Sequence, residues 1–384
     1  MGKSRPSRTP SLLRLLRLVP AGIGALLFMV ALSLVDSGID FAYNYRPAVR
    51  AWLFEGRSLY GGGSYVFYNP PWTAFFLLPF SLLPASLGKA ALAGFTLAVL
   101  AATTVSFAAG GKLRLLALGL VLPHFHTLYV TLEGQIDAFP LLGILVGWWA
   151  VAGLHPRLAS AGTTPEAWAQ GKAPWLLGLA FVLLSIKPQV VFLVAGVYLL
   201  ALRKVPWRGR LVAVSLPLLA VVTSLPLFGA DWPVRWWQAY SILPPVPEHA
   251  VTTWRAAREL GLPPWTPLPA VAAALVGGIA VYRRLGLSQD TVGLALVTGA
   301  VAASFSSPSS SLLLLAVPFA RLLALRPALA LLVYALSLTP PWRVPHGLSI
   351  AWIDSAFWWA LWLATFAVLW TQGRGKPTEE QAHA

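Results

Sequence analysis

Long apolar stretches dominate this chain. Residues 22–35, 90–109, 175–202, 211–228 and 349–370 each carry at most one charged side chain. None alternates apolar and polar residues with the period of two that an outer-membrane strand requires, and the helix is the other structure that satisfies its own backbone in hydrocarbon. The predicted fold class is therefore all-α, a polytopic integral membrane protein whose solvent over most of its length is lipid. Composition agrees: 57% of the 384 residues are hydrophobic and 11% charged, with a mean hydropathy of +0.70, more apolar surface than a water-soluble domain can bury. With no cysteine in the chain, disulfides, thiol catalysis and zinc–thiolate sites are excluded.

The net charge of +15 does not point to nucleic acid, because no basic, aromatic-interleaved stretch of soluble composition exists to bind it. Most of the 28 Lys and Arg fall in short clusters between apolar segments. Lys3, Arg5, Arg8, Arg14 and Arg17 precede the first run; Lys112/Arg114, Arg157 to Lys172, Arg203/Lys204/Arg208/Arg210, Arg283/Arg284, Arg321/Arg326 and Arg374/Lys376 separate or follow the later ones. Such clusters mark cytoplasmic turns and put both termini on the cytoplasmic side. The first run is expected to stay as an uncleaved span, since no small-residue cleavage site follows it. Ten to twelve spans fit, the fullest set being roughly 12–35, 88–109, 115–131, 137–153, 174–186, 187–202, 208–228, 267–282, 290–304, 310–324, 327–340 and 349–371. Segment 71–84 is predicted to lie along the outer surface instead: as a helix it reaches only about 21 Å, and counting it as a span would invert every later basic cluster. The expected organisation is one transmembrane domain, residues 1–372, with external loops at 36–71 and 229–267 and a cytoplasmic tail at 373–384.

The acids show the opposite bias. Asp36, Asp40, Glu55, Glu133, Asp137, Asp231, Glu248, Glu259 and Asp354 gather on the external side or its membrane edge. Membrane insertion asks only for the basic half of this asymmetry, so the acids need another reason.

Asp40 follows the first span directly, with Tyr43, Tyr45, Arg46 and Arg50 one and two helical turns further on. A positioned, partly desolvated carboxylate there can act as a general base toward a hydroxyl; the commoner role for such an Asp is to cap a helix, here one from Phe41 to about Phe54. The outward turn Glu133-Gly134-Gln135-Ile136-Asp137 brings two more carboxylates and an amide to the same side, functional if held at membrane depth and merely solvated if wet. Ser185-Ile186-Lys187-Pro188-Gln189 interrupts an apolar run, Pro188 favouring a broken helix that opens onto a cavity. Its lysine suits a phosphate as a compact point charge, or else snorkels to the interface. The serine-rich patch 304–311 contains Ser307-Pro308, whose hydroxyls bind a sugar or cap the next helix. The second external loop holds Trp232, Trp236, Trp237, Tyr240, Trp254 and Trp265 with His249, Arg255 and Arg258. His124 and His126 lack an acidic partner at metal-ligand spacing and read as packing or hydrogen-bonding residues. Gly61-Gly62-Gly63 lacks the lysine and helix of a phosphate loop.

Taken in order, Asp40 with Tyr43 and Tyr45, Gly56-Arg57-Ser58-Leu59-Tyr60, Tyr68-Asn69-Pro70-Pro71-Trp72 leading to Leu82-Leu83-Pro84, Gly134-Gln135, Lys187-Pro188-Gln189 and Ser307-Pro308 resemble glycosyltransferase family 87. These are the polyprenol-phosphate-mannose-dependent mannosyltransferases of the GT-C superfamily, and the resemblance covers residues 12 to about 325. It implies a GT-C-type helical bundle around a cavity facing away from the cytoplasm, with surface helices in the first external loop. It places the catalytic carboxylate at Asp40 and the donor's lipid phosphate near Lys187, Arg46 and Arg50. Tyr43, Tyr45, Glu133, Gln135, Asp137, Ser307 and His249 are the expected substrate-side residues. Family members carry a histidine after the late Ser-Pro where this chain has Ser309-Ser310-Ser311, so His249 or His346 takes its place or the substrate differs.

The expected activity is inverting transfer of mannose or a similar hexose or pentose. The donor is a polyprenyl phosphate and the acceptor a lipid or glycan, on the extracytoplasmic face of a prokaryotic plasma membrane. A sugar on polyprenyl phosphate already has a good leaving group, so the chemistry needs a base for the acceptor hydroxyl and cations for the departing phosphate. No cofactor or metal is expected, and the partners are the lipid-linked donor, the acceptor and membrane lipids. The alternatives are a transporter or flippase of lipid-linked intermediates, or a non-catalytic scaffold for envelope assembly.

Overall fold

The computed structural model describes residues 40–60, 65, 67–152, 154, 165–242, 252–302, 313–338 and 351–372, and every regular element among them is a helix. The expected first span, 12–35, and the tail lie outside the described residues. A π-helical turn, Asp40–Tyr45, runs directly into α1, Arg46–Glu55. After α2, Thr73–Ser81, come α3, Ala85–Phe107, then α4, Lys112–Val121, and α5, Phe125–Glu133. Next are α6, Ala138–Ala152, α7, Pro165–Gln170, α8, Ala173–Leu184, and α9, Pro188–Ala201. α10, Trp207–Phe228, leads through α11, Trp232–Ile242, and α12, Thr253–Glu259, to α13, Leu268–Leu285. The order closes with α14, Gln289–Ala302, α15, Ala316–Leu325, α16, Pro327–Ser337, and α17, Ala351–Gln372.

Helices thus occupy each expected segment from residue 88 onward, with one division. Segment 115–131 splits into α4 and α5, bent by 56°, where Pro123 withholds a backbone donor and His124 caps the second helix through its ring nitrogen. Prolines also set other boundaries: Pro174, Pro188 and Pro327 stand in the first turns of α8, α9 and α16, where a missing N–H leaves no helical bond unmade. Among the described residues, three helices, α3, α10 and α13, are long and apolar enough to cross a membrane, or four if the bent pair is one span. α9, at 14 residues, reaches about 21 Å against a hydrocarbon core of about 30 Å. α2 is shorter still, with one face, Thr73, Ala74, Leu77 and Ser81, fully buried.

The long helices are apolar outside as well as inside. On α10, Trp207, Leu211, Leu218, Leu219 and Val222 are exposed, and only 17% of its apolar window is buried within the protein. Such a face is stable against hydrocarbon and a liability against water.

The larger apolar core lies among α3 to α9 and α13 to α17. Tyr198 of α9 is wholly buried there and donates its hydroxyl proton to the Ile144 carbonyl at 2.7 Å. Gly147 of α6 admits the ring, since a β-carbon at that position would sit 2.3 Å from it. At one edge of this core Arg321 of α15 ties three elements together. Its guanidinium donates to Asp290 at 2.7 Å, to Gln289 at 2.8 Å and to the Phe107 carbonyl at the end of α3 at 3.0 Å.

The second core belongs to the segment between Asp40 and Ser81. Phe41, Ala48, Val49, Leu59, Phe67 and Leu77 pack against Ile136, Leu183 and Ile186, which come from the turn before α6 and the end of α8. The segment is too short to enclose a core alone, and it borrows one from the helix ends beneath it. Phe41 is completely buried, a contribution of about 1.5–3 kcal/mol, and it carries Asp40 down with it.

Candidate functional site

Three segments far apart in the chain, residues 40–44, 135–137 and Lys187, come together. Asp40 opens the π-helical turn, so Asn44, four residues later, lies above it and donates Nδ2 to Asp40 Oδ1 at 3.1 Å. Gln135, in the turn between α5 and α6, donates Nε2 to the other oxygen, Oδ2. Two residues on, Asp137 is fully buried and accepts from Lys187 Nζ at 2.6 Å. Lys187 is itself buried and sits in the break between α8 and α9, with φ −132 and ψ 67. Both Lys187 and Asp137 act electrostatically on Asp40.

Local chemistry explains each placement. α5 ends at Gly134 with φ +70, a left-handed conformation that favours glycine. A β-carbon on Gly134 would also lie 2.5 Å from the β-carbon of Phe41, so the turn that presents Gln135 and the turn that presents Asp40 touch backbone to side chain. Ala at position 134 is expected to force the two turns apart and to cost about 1–2 kcal/mol for the left-handed backbone alone. The thermal unfolding temperature in detergent should fall; an alanine variant indistinguishable from wild type would refute the contact. At the α8–α9 break, Pro188 supplies no N–H, and the Ile186 carbonyl is satisfied from outside the helix by Asn69 Nδ2 at 3.0 Å. Trp72 Nε1 donates to Ser185 Oγ at 3.0 Å beside it.

Burial is the largest influence on Asp40 and raises its pKa above the ordinary 3.8; the amides of Asn44 and Gln135 and the charge of Lys187 oppose it, while Asp137 adds to it. The outcome is a half-buried carboxylate that holds a proton more tightly than one in water. It is partly reachable from outside and is oriented by two amide donors.

The other predicted residues are distributed as follows. Arg46 donates Nε and Nη2 to the Leu83 carbonyl at 3.3 and 3.2 Å, and Arg50 lies over the Phe54 ring, 5.0 Å from its centroid. Both are on α1, away from the Asp137–Lys187 pair in their direct contacts. Burial and then the neighbouring Arg50 lower the pKa of Arg46, so the two cations share one neighbourhood. Tyr43 is 65% exposed, whereas Tyr45 is buried edge-on against Phe67 at 6.3 Å. Glu133 is half-buried at the end of α5. Trp236 donates Nε1 to the Tyr68 carbonyl at 2.7 Å, and Trp237 is 73% exposed. Ser307, His249 and His346 lie outside the described residues.

Two participants had no assigned role in the sequence pattern. Asn44 is legible in the sequence as the i+4 neighbour of Asp40 on any helix; Asn69 stands inside the Tyr68-Asn69-Pro70-Pro71-Trp72 motif, but only the fold shows which carbonyl it meets. Among the described residues no cluster of three or more His, Cys, Asp or Glu could hold a metal ion.

A half-open pocket of about 50 Å³ lies elsewhere, at the α4–α5 bend, between Leu315, Phe319, Val333 and Phe357 on one side and His124, His126 and Thr127 on the other. It includes no member of the Asp40 cluster. His124 bonds through Nε2 to Ser337 Oγ at 2.9 Å and stacks on His126 at 5.2 Å, a packing and hydrogen-bonding arrangement. No family model, no curated protein and no solved structure matches this chain.

Proposed function

We propose that the chain is an inverting glycosyltransferase that takes a sugar from a polyprenyl phosphate on the extracytoplasmic face of a prokaryotic plasma membrane, similar to glycosyltransferase family 87. The observation that carries this reading is the convergence on Asp40. Of the motif segments, the Gly134-Gln135 turn bonds the Asp40 carboxylate, Lys187 of the Lys187-Pro188-Gln189 break acts on it through charge, and the Asn69-Pro70-Pro71-Trp72 segment bonds the carbonyl beside that lysine.

In this mechanism the acceptor hydroxyl approaches Asp40, whose carboxylate takes its proton as the oxygen attacks the anomeric carbon from the face opposite the phosphate. The anomeric carbon–oxygen bond breaks, polyprenyl phosphate departs with the electron pair, and the configuration inverts. Asn44 and Gln135 fix the direction in which the carboxylate points. A raised proton affinity suits a base that must accept a proton from an alcohol. Arg46 and Arg50, crowded on one helix, gain from an anion between them, and the departing phosphate supplies it. Tyr43, Trp236 and Trp237 offer ring faces at the surface for the sugar or for the lipid entrance.

The test is transfer of a radiolabelled sugar from polyprenyl phosphate to an acceptor extract by purified protein in detergent, with no membrane gradient. Labelled product is expected. Movement of lipid-linked sugar across vesicles without transfer would replace this reading with a transporter. The reaction should also show an acid limb. Because the base works ionised and burial raises its pKa, activity is expected to rise with pH through a midpoint above 3.8. A profile flat down to that pH would remove Asp40 from the reaction.

A further inference from the structure

The Tyr68-Asn69-Pro70-Pro71-Trp72 segment touches neither acid, yet it is held from several sides. Tyr60 donates its hydroxyl proton to the Asn69 carbonyl at 2.7 Å, and Trp236 reaches the Tyr68 carbonyl at 2.7 Å. Trp72 packs edge-on against Trp232 at 5.9 Å and bonds Ser185, whose hydroxyl donates back to the Val182 carbonyl at 2.7 Å. So anchored, Asn69, only 6% exposed, places its amide on the Ile186 carbonyl. That carbonyl immediately precedes Lys187, at the break between α8 and α9, where the Val190 N–H goes to the Lys187 carbonyl instead. From the other side, Asp137 grips the lysine ammonium at 2.6 Å.

We infer that Asn69 and Asp137 are positioning residues, which together hold the Lys187 ammonium where its charge compensates the Asp40 carboxylate. The inference rests on the reading of Asp40 as a base. Asn69 fixes the backbone that carries the lysine, and Asp137 fixes its charged end. The carboxylate of Asp137 is the counterweight: it orients the ammonium and partly cancels it, so the base feels the lysine at reduced strength.

Among the described residues, the charged groups on the elements near Asp40 are these. Lys187 and Asp137 act on it directly. From α1, Arg46 turns to the Leu83 carbonyl and Arg50 to the Phe54 ring. α2 carries no titratable side chain, α3 contributes buried Lys89, and α5 ends with half-buried Glu133.

The experiment is an infrared titration of full-length protein in lipid nanodiscs, following the protonated carboxyl band of Asp40, assigned as the band lost in Asp40→Asn. Lys187→Met should move its midpoint upward, Asp137→Asn downward, and Asn69→Ala upward, because loosening the break lets the ammonium drift from the base. If Lys187→Met does not fold, the Lys187→Met/Asp137→Asn double variant leaves no buried charge unpaired and should still shift the midpoint upward, Lys187 being the stronger of the two influences. A merely structural role for Asn69 would lower thermal stability and leave the midpoint where it is in wild type; that result overturns the inference, as does a midpoint unmoved by removal of the lysine. The titration needs no turnover. Midpoints that move as expected in a protein that transfers no sugar would therefore refute the base role of Asp40 and retain the positioning of its neighbour.

Discussion

Asp40→Asn is expected to lower sugar transfer by about 10²–10⁴-fold, the usual worth of a positioned general base, while the protein stays folded. The substitution keeps the shape and one acceptor oxygen, so either Asn44 or Gln135 retains a partner and the other amide must turn. It also removes a charge that burial disfavours. The folded state binds the Asp40 proton more tightly than the unfolded chain does, so the residue stabilises the fold below pH 3.8 and loses that contribution as pH rises through its raised pKa. At neutral pH the asparagine variant should therefore unfold in detergent at or above the wild-type temperature. The pairing of lost activity with kept stability is the informative outcome. Asp40→Ala separates the effects further, since it leaves two amides unanswered at the same place. An asparagine variant with wild-type turnover would sink the mechanism, and one that aggregates would recast Asp40 as a structural residue.

How much of this was legible beforehand differs by layer. Helix positions from residue 88 onward follow from hydropathy because an apolar run in lipid has no alternative that satisfies its backbone. The division at Pro123 had a written signal, the proline itself, but the run around it is apolar enough to read as one segment. The site was legible as a set of polar interruptions at apolar ends: Asp40, Gln135, Asp137 and Lys187 each stand where an apolar run gives way, and the fold brings them together. Their pairings were not legible. Lys187 reads as a cation waiting for phosphate, and it is the carboxylate of Asp137, 50 residues away in sequence, that holds it. Arg46 reads the same way, and a backbone carbonyl at Leu83 engages two of its nitrogens. Spacing records which groups lie at the membrane edge, whereas partner choice is settled by packing among segments that share no local sequence. The buried Phe41 against Gly134 is such a packing decision, and it sets the distance from Asp40 to Gln135.

The same logic makes Lys187 the place where stability is most at stake. Lys187→Met is expected to destabilise the protein by about 3–5 kcal/mol, since it strands the Asp137 carboxylate, fully buried, without its counter-ion. The second oxygen of Asp137 has no hydrogen-bond partner among the described residues, which leaves the carboxylate more dependent on that one ammonium. Adding Asp137→Asn should restore most of the loss, because a neutral pair of similar volume removes both desolvation penalties at once; such replacements range from neutral to stabilising by about 1–4 kcal/mol. Denaturant or thermal unfolding of the two single variants and the double variant gives the coupling directly. If the double variant is no more stable than Lys187→Met alone, the carboxylate is not the reason for the loss, and the ion pair is not what holds the α8–α9 break against the turn before α6. If stability returns and the acid limb of transfer stays displaced, the pair's structural and electrostatic contributions are separated in one protein: its packing restored by neutral side chains, its charge beside Asp40 gone.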